Sequence, residues 1–304
     1  MKNLLTLKQM LSVAEQHGYA VGSFAPRYTP MIRPILQAGE QTQSPVIVQI
    51  SQNEFNWYEV GPDEFADEFH HQMQDLAITV PVTLHLDHTR DFEVIKAAID
   101  AGFTSVMIDM SARPLEENMT ITREVAEYAH SKGVSVEAEL GRIGTTDYVE
   151  TDDDVELYTN PDEAQQFVEQ TQVDALAVSV GTAHGVYKVR QPKVDFDRLR
   201  AIRSRTPVHL VLHGGSGVPA AMIQEAMRLP GGGISKVNIA TDLELAALGA
   251  LGREQRMANP ECKALPADEL AKARAAVQAT VIEKITDFVL SANHASDYQL
   301  ASEA

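Results

Sequence analysis

Eight short apolar runs, spaced along the chain with helical patterns between them, restrict the fold more than any other feature. They are YAVGSF (19–24), PVIVQIS (45–51), VPVTLHLD (80–87), TSVMIDM (104–110), VSVEAEL (134–140), VDALAVSV (173–180), PVHLVLH (207–213) and SKVNIA (235–240). Most are rich in Val and Ile and bounded by Gly, Pro, Asp or Ser, the pattern of strands buried on both faces. The segments between them carry helix signals. TPMIRPILQAGEQTQ opens on a threonine cap candidate followed by proline, and DFEVIKAAIDAG closes on Gly102. LEENMTITREVAEYAHSKG places Lys132 in its last turn and Gly133 after it. NPDEAQQFVEQTQ and PAAMIQEAMRLPGGG repeat the pattern. The alternation predicts an α/β chain whose parallel sheet closes as a (β/α)8 TIM barrel, with an open doubly wound sheet as the alternative. No Pro/Ser-rich linker cuts the chain, so residues 1–292 read as one barrel domain. It carries extra C-terminal helices after residue 265, and 293–304 reads as a loose tail.

Composition excludes several classes of function. No run approaches the roughly 18 apolar residues of a membrane span. MKNLLTLKQMLSVAEQHG, with Lys8, Gln9, Glu15 and Gln16 inside it, reads as an amphipathic helix and not a signal peptide. One cysteine, Cys262, rules out an internal disulfide and suits the reducing cytoplasm. A net charge of −18 without a basic stripe argues against a nucleic-acid partner. A small phosphorylated substrate stays compatible, because backbone N–H groups at helix starts bind anions locally.

Chemistry in such a barrel gathers at the C-terminal strand ends. Six of the eight runs finish there with groups that ligate, ionise or hydrogen-bond: Asp87 and His88, Asp109, Glu139, His184 within GTAHG, His213, and Asn238 with Thr241. His88, His184 and His213 each follow an apolar run and precede a turn. Three imidazoles with an open fourth position describe a catalytic zinc site; taken singly, each is more often a hydrogen-bonded structural residue, and their joint place at one rim reverses that balance. His85 and His209 lie inside their runs as barrel-interior or supporting residues, whereas His17, His70, His71, His130 and His294 read as solvated. HGGSGVP, with Gly214 and Ser216, and NIATD follow the seventh and eighth runs, a frequent phosphate-binding place in these barrels. GTAHGVYK adds Lys188 near His184.

These stretches together resemble the class II (metal-dependent) ketose-bisphosphate aldolases, in the fructose- and tagatose-bisphosphate branch. The likeness rests on HLDH (85–88), VMID (106–109), PLEENMTITREVAEYAHSKGVSVEAELGRIG (114–144), YTNPDEA (158–164), VDALAVSVGTAHGVY (173–187), LVLHGGSGVP (210–219) and KVNIATDLE (236–244), and spans about residues 5–290. The resemblance implies zinc on His88, His184 and His213, with Glu139 and Asp109 lining an alternative, more buried metal position. It implies Asp87 as the acid/base for the hydroxyl on the aldehyde side. Gly185, Gly214, Ser216, Asn238 and Thr241 would hold dihydroxyacetone phosphate, with Lys188 close and a monovalent cation assisting. A homodimer or homotetramer is implied too. In such a reaction, cleaving C3–C4 of a ketose phosphate leaves a carbanion beside a carbonyl, and a divalent metal takes up the charge of the enediolate. Asp87 would accept the C4 hydroxyl proton in cleavage and return it in condensation.

Three departures from the pattern stand out, the first two on the aldehyde side. SFAPRYTP has Ala25 where the pattern usually has asparagine, and brings Arg27, whose guanidinium suits a carboxylate, sulfonate or phosphate. ISQNEFNWY keeps Ser51 but follows it with Gln52 and Asn53. GTTDYVETDDD puts Asp147 at the place of the enediolate proton carrier, with Glu150 as the alternative, unless the stretch is only a solvated acidic loop. The expectation is therefore a zinc-dependent aldolase releasing dihydroxyacetone phosphate from an acidic ketose phosphate. A sugar-phosphate isomerase or epimerase using the same metal, and a retired sugar-phosphate sensor, are the competing readings.

Overall fold

The computed structural model describes residues 1–145, 157–185, 187 and 191–300. Its strands are β1 (Val21–Phe24), β2 (Val46–Ser51), β3 (Val82–Thr89), β4 (Ser105–Ile108), β5 (Ser135–Leu140), β6 (Gly144–Thr145), β7 (Ala175–Val178), β8 (Ala183–His184), β9 (His209–Leu212) and β10 (Ile234–Ile239). The helices are α1 (Leu7–His17), α2 (Ile32–Thr42), α3 (Gln52–Tyr58), α4 (Pro62–Asp75), α5 (Phe92–Asp100) and α6 (Leu115–Ser131). They continue as α7 (Pro161–Thr171), α8 (Phe196–Arg205), α9 (Ala220–Met227), α10 (Thr241–Ala250), α11 (Asn259–Lys263) and α12 (Ala267–Glu283). Eight strands close a parallel barrel in the order β1-β10-β9-β7-β5-β4-β3-β2, while β6 and β8 pair with each other beside it. The barrel is thus the closed form and not the open sheet.

Side chains alternate in and out along each strand, and the inward set changes character with height. At the N-terminal end Val21, Ile47, Met107, Ala175, Ala177 and Val211 form an apolar plug with Leu7, Met10, Leu11 and Ala14 of α1. Helix α1 owes its start to a capping box: Gln9 N–H donates to Thr6 Oγ1 at 3.3 Å, and Thr6 N–H to Gln9 Oε1 at 2.9 Å. Its four buried residues close the barrel floor, each large one stabilising by about 1.5–3 kcal/mol. Above the plug the inward positions turn polar. The register sets Ser51 beside Asp87 and Ser23 beside Asn238, so these groups meet at one level.

Several expectations are corrected. Strand β3 runs to Thr89, so His88 lies within a strand and not after it. His184 sits on β8, whereas the barrel strand before it, β7, ends at Val178. Thr29 opens a short 3-10 turn behind Tyr28 and is not a cap. The segment after β2, for which no helix was expected, is α3, followed by α4. The segment expected to be a loose tail packs at least through Tyr298: its hydroxyl donates to Met10 O at 3.0 Å and accepts from Tyr19 OH at 3.0 Å. His294 stacks on Tyr19, with ring centroids 4.1 Å apart, and is not a solvated residue.

Candidate active site

A cavity of about 600 Å³ opens at the C-terminal end of the barrel. His88 of β3 and His184 of β8 line it, and the buried His213 at the end of β9 converges on them. One nitrogen of each lies within 4.8 Å of the others. The hydrogen bonds decide which nitrogen faces inward. His88 Nδ1 is 3.0 Å from Asp109 Oδ2, and His213 Nε2 is 2.8 Å from Glu137 Oε1. Each carboxylate takes an N–H, so the opposite nitrogens keep their lone pairs. Those two, His88 Nε2 and His213 Nδ1, face each other at 2.8 Å. Facing lone pairs repel unless a cation stands between them, either a proton on one ring or a metal ion shared by both.

The local field favours that cation. Against the effect of burial, the carboxylates of Asp87, Asp109 and Glu139 push His88 up to about 10. Burial, with the charges of His88 and His213, holds His184 down to about 3, so this ring offers a free lone pair. Glu139 is pushed up to about 8, first by burial and then by Asp109. Its Oε2 is buried with no hydrogen-bond partner among the described residues, 3.6 Å from His213 Nδ1. Asp109, Glu139 and His88 form a second group able to hold an ion, sharing His88 with the first. Three imidazoles and an orphaned carboxylate oxygen are donors that fit a divalent metal.

Asp87 stands beside this cluster, buried and held from two sides. Asn238 Nδ2 donates to its two oxygens at 3.1 and 3.2 Å, and Gln49 Nε2 donates to Oδ2 at 3.1 Å. Gln49 in turn accepts from Ser23 Oγ. Although burial opposes it, the nearby His88, His85, His213 and Lys236 hold the Asp87 carboxyl well below its usual range. It is therefore ionised, and it lines the cavity as a hydrogen-bond acceptor.

Next to the histidines the backbone forms a cradle. Gly214 has φ 66°, and a Cβ there would meet Ala183 O at 2.4 Å, so only glycine lets these two segments touch. Gly185, Gly214, Ser216, Asn238 and Thr241 all line the cavity. Ser216 Oγ accepts from Ala240 N and Asp242 N at 3.3 Å each, which fixes the loop at the start of α10. Thr241 begins that helix; the next N–H groups, of Asp242 and Leu243, are taken by Ser216 Oγ and Ala240 O.

The opposite wall holds Ser51, Arg27, Trp57 and the start of α3. Here the geometry differs from expectation. Arg27, at φ 65°, donates to Glu54 and lies 3.7 Å from Glu244 Oε2. Its charge is answered by two buried carboxylates, so it lines the cavity without offering a free cation to a substrate. Glu54 also accepts Ser51 N–H at 2.8 Å, which ties Arg27 to the position of Ser51. Asp147, Glu150 and Lys188 lie outside the described residues.

Three residues of the site went unforeseen: Gln49, Glu137 and Lys236. Each stands two residues before a predicted one (Ser51, Glu139, Asn238), so the two-residue strand period puts both on the same inward face. A polar residue at that offset in an apolar run was the available signal. His209, by contrast, belongs to the floor, with Nδ1 2.5 Å from Glu15 Oε2 of α1.

Residues 5–294 match the family model described as fructose-bisphosphate aldolase class-II. The chain is 42% identical over 286 residues to a fructose-bisphosphate aldolase of Geobacillus stearothermophilus, covering 94% of this chain and 97% of the relative. It is 41% identical over 285 residues to a fructose-bisphosphate aldolase of Staphylococcus aureus, with coverage of 94% and 97%. Among solved structures, the YdjI aldolase of Escherichia coli K12 superposes with a TM-score of 0.78 at 32% identity, covering 96% of this chain and 99% of that one.

Proposed function

Since the chain belongs to the class II fructose-bisphosphate aldolase family and is an aldolase, a carbon–carbon lyase, we propose that it cleaves a ketose phosphate reversibly to dihydroxyacetone phosphate and an aldehyde, using one zinc ion held by His88, His184 and His213. The observation that carries the metal assignment is the convergence of three imidazole nitrogens within 4.8 Å of one another, with an unpartnered carboxylate oxygen beside them. A divalent ion at this position supplies Lewis-acid stabilisation of the negative charge that develops on the ketose oxygens as the bond breaks. Asp87 takes the hydroxyl proton on the aldehyde side and returns it in the reverse direction. Asn238 and Gln49 fix the carboxylate for that transfer, so no rotamer search precedes it. The cradle of Gly185, Gly214, Ser216 and Thr241 binds the phosphate of the three-carbon half through backbone N–H groups and hydroxyls. Ser51 faces the aldehyde half, and Asp147 is the donor that quenches the reactive carbon.

The physiological setting is the cytoplasm and the assembly a homodimer or homotetramer, readings supported by the single cysteine and by the family. Among the described residues no helix is long and apolar enough to cross a membrane. A coupled assay for dihydroxyacetone phosphate tests the proposal across fructose-, tagatose- and other acidic ketose phosphates. Triose release that EDTA abolishes and zinc restores is expected. Substrate loss without triose would point instead to an isomerase.

A further inference from the structure

Beneath the three histidines lies a buried polar layer of which the proposed reaction uses only Asp87. Its centre is Lys236 of β10, whose side chain is 0% exposed. The ammonium is 2.8 Å from Glu137 Oε2, 3.4 Å from His85 Nε2 and 4.0 Å from Asp87 Oδ1. His85 engages Ser105 Oγ through Nδ1 at 2.8 Å, so Nε2 is the nitrogen turned to the lysine. The ligand atoms of His85, Asp87 and Glu137 lie within 4.8 Å of one another, all three residues buried. One imidazole and two carboxylates at that spacing are themselves a donor set for a divalent ion. Two carboxylates in a barrel interior require positive charge between them. Lysine supplies it as a compact point charge with three donors and no acceptor.

The other oxygen of Glu137 carries the effect upward, since it accepts the N–H of His213. With one oxygen on Lys236 and the other on His213, the carboxylate has no freedom to rotate. His213 must then present Nδ1 toward His88. We propose that Lys236 is a built-in cation: it fills the place that His85, Asp87 and Glu137 would otherwise offer to a second metal ion, and through Glu137 it fixes the nitrogen that His213 offers to the catalytic ion. The proposal rests on reading His88, His184 and His213 as the metal site. It makes Lys236 and Glu137 positioning residues, and the ion count per chain a property set by a lysine.

Equilibrium dialysis against zinc, read as zinc per folded chain, tests it without any activity measurement. The parent protein takes up one zinc. The Lys236→Met variant is expected to take up two, and to gain melting temperature with added zinc beyond the parent's gain. One zinc at the parent's affinity in that variant would overturn the proposal. Should Lys236→Met fail to fold, the double variant Glu137→Gln/Lys236→Met removes both charges and keeps the volume. It is expected to hold one zinc with affinity reduced about 10- to 100-fold by chelator competition, the usual effect of losing a partner of a ligating histidine. Undiminished affinity there would also overturn the proposal. A parent that binds no zinc would overturn the site reading and this inference together; a normal parent with an unchanged variant sinks this inference alone.

Discussion

At the scale of single residues, the site is a set of side chains whose second atoms are already engaged. Asp87 shows the consequence most directly. With Asn238 and Gln49 both donating to it, substitution by asparagine keeps the shape but removes the proton acceptor. Asp87→Asn is expected to lower kcat by about 10²–10⁴-fold while zinc content stays at the parental level. Loss of zinc from the variant would make Asp87 a support of the metal site instead. Arg27 gives the opposite lesson. Sequence alone made it an anchor for an acidic aldehyde, because nothing in SFAPRYTP shows that Glu54 and Glu244 will meet it. Removing it leaves Glu54, 3% exposed, without its ion-pair partner. Arg27→Ala is therefore expected to destabilise the fold by about 3–5 kcal/mol in denaturant titrations. Any change in kcat/KM should be equal for charged and neutral aldehydes, and a loss confined to anionic ones would restore the anchoring role.

At the scale of elements, the eight strands were legible because burial on both faces writes an uninterrupted Val/Ile run, and each run falls within two residues or so of an observed strand. What stayed hidden was whatever depended on partners distant in sequence. Helix α3 carries Phe55 and Trp57 in a stretch with little apolar periodicity, and its start is fixed by Glu54 reaching back to Ser51 N–H. The location of His184 was hidden in the same way, since β8 exists only through its pairing with β6. The C-terminal segment is the clearest case. DYQLASEA has the composition of a tail, yet Tyr298 is buried against α1 and shares a hydrogen-bond chain with Tyr19 and Met10. Tyr298→Phe removes the hydroxyl at the middle of that chain and leaves Tyr19 OH without its acceptor. A loss of about 1–3 kcal/mol by chemical denaturation is expected, with kcat unchanged because the barrel floor is remote from the cavity. A change in kcat without a change in stability would contradict this division between floor and mouth.

At the scale of the whole molecule, the histidine cluster joins strands from both halves of the chain, residues 88 and 213 being 125 positions apart. An ion bound there is bound by the folded barrel and hardly at all by the unfolded chain, so its binding free energy adds to fold stability. At free zinc about a thousandfold above the dissociation constant, the added stability is about 4 kcal/mol. For domains of 150–250 residues about 1 kcal/mol moves Tm by about 2–4 °C, and a longer chain sits at the lower end. Chelation is accordingly expected to lower Tm by on the order of 10 °C, and His213→Ala to abolish that difference. The measurement has to be made at constant ionic strength, because a chain of net charge −18 repels itself and gains stability from salt alone. A chelator that stops triose release but leaves Tm in place would mean the ion does not hold the three strands together. The metal would then be a passing partner of the substrate, and the convergence of three imidazoles would need another reason.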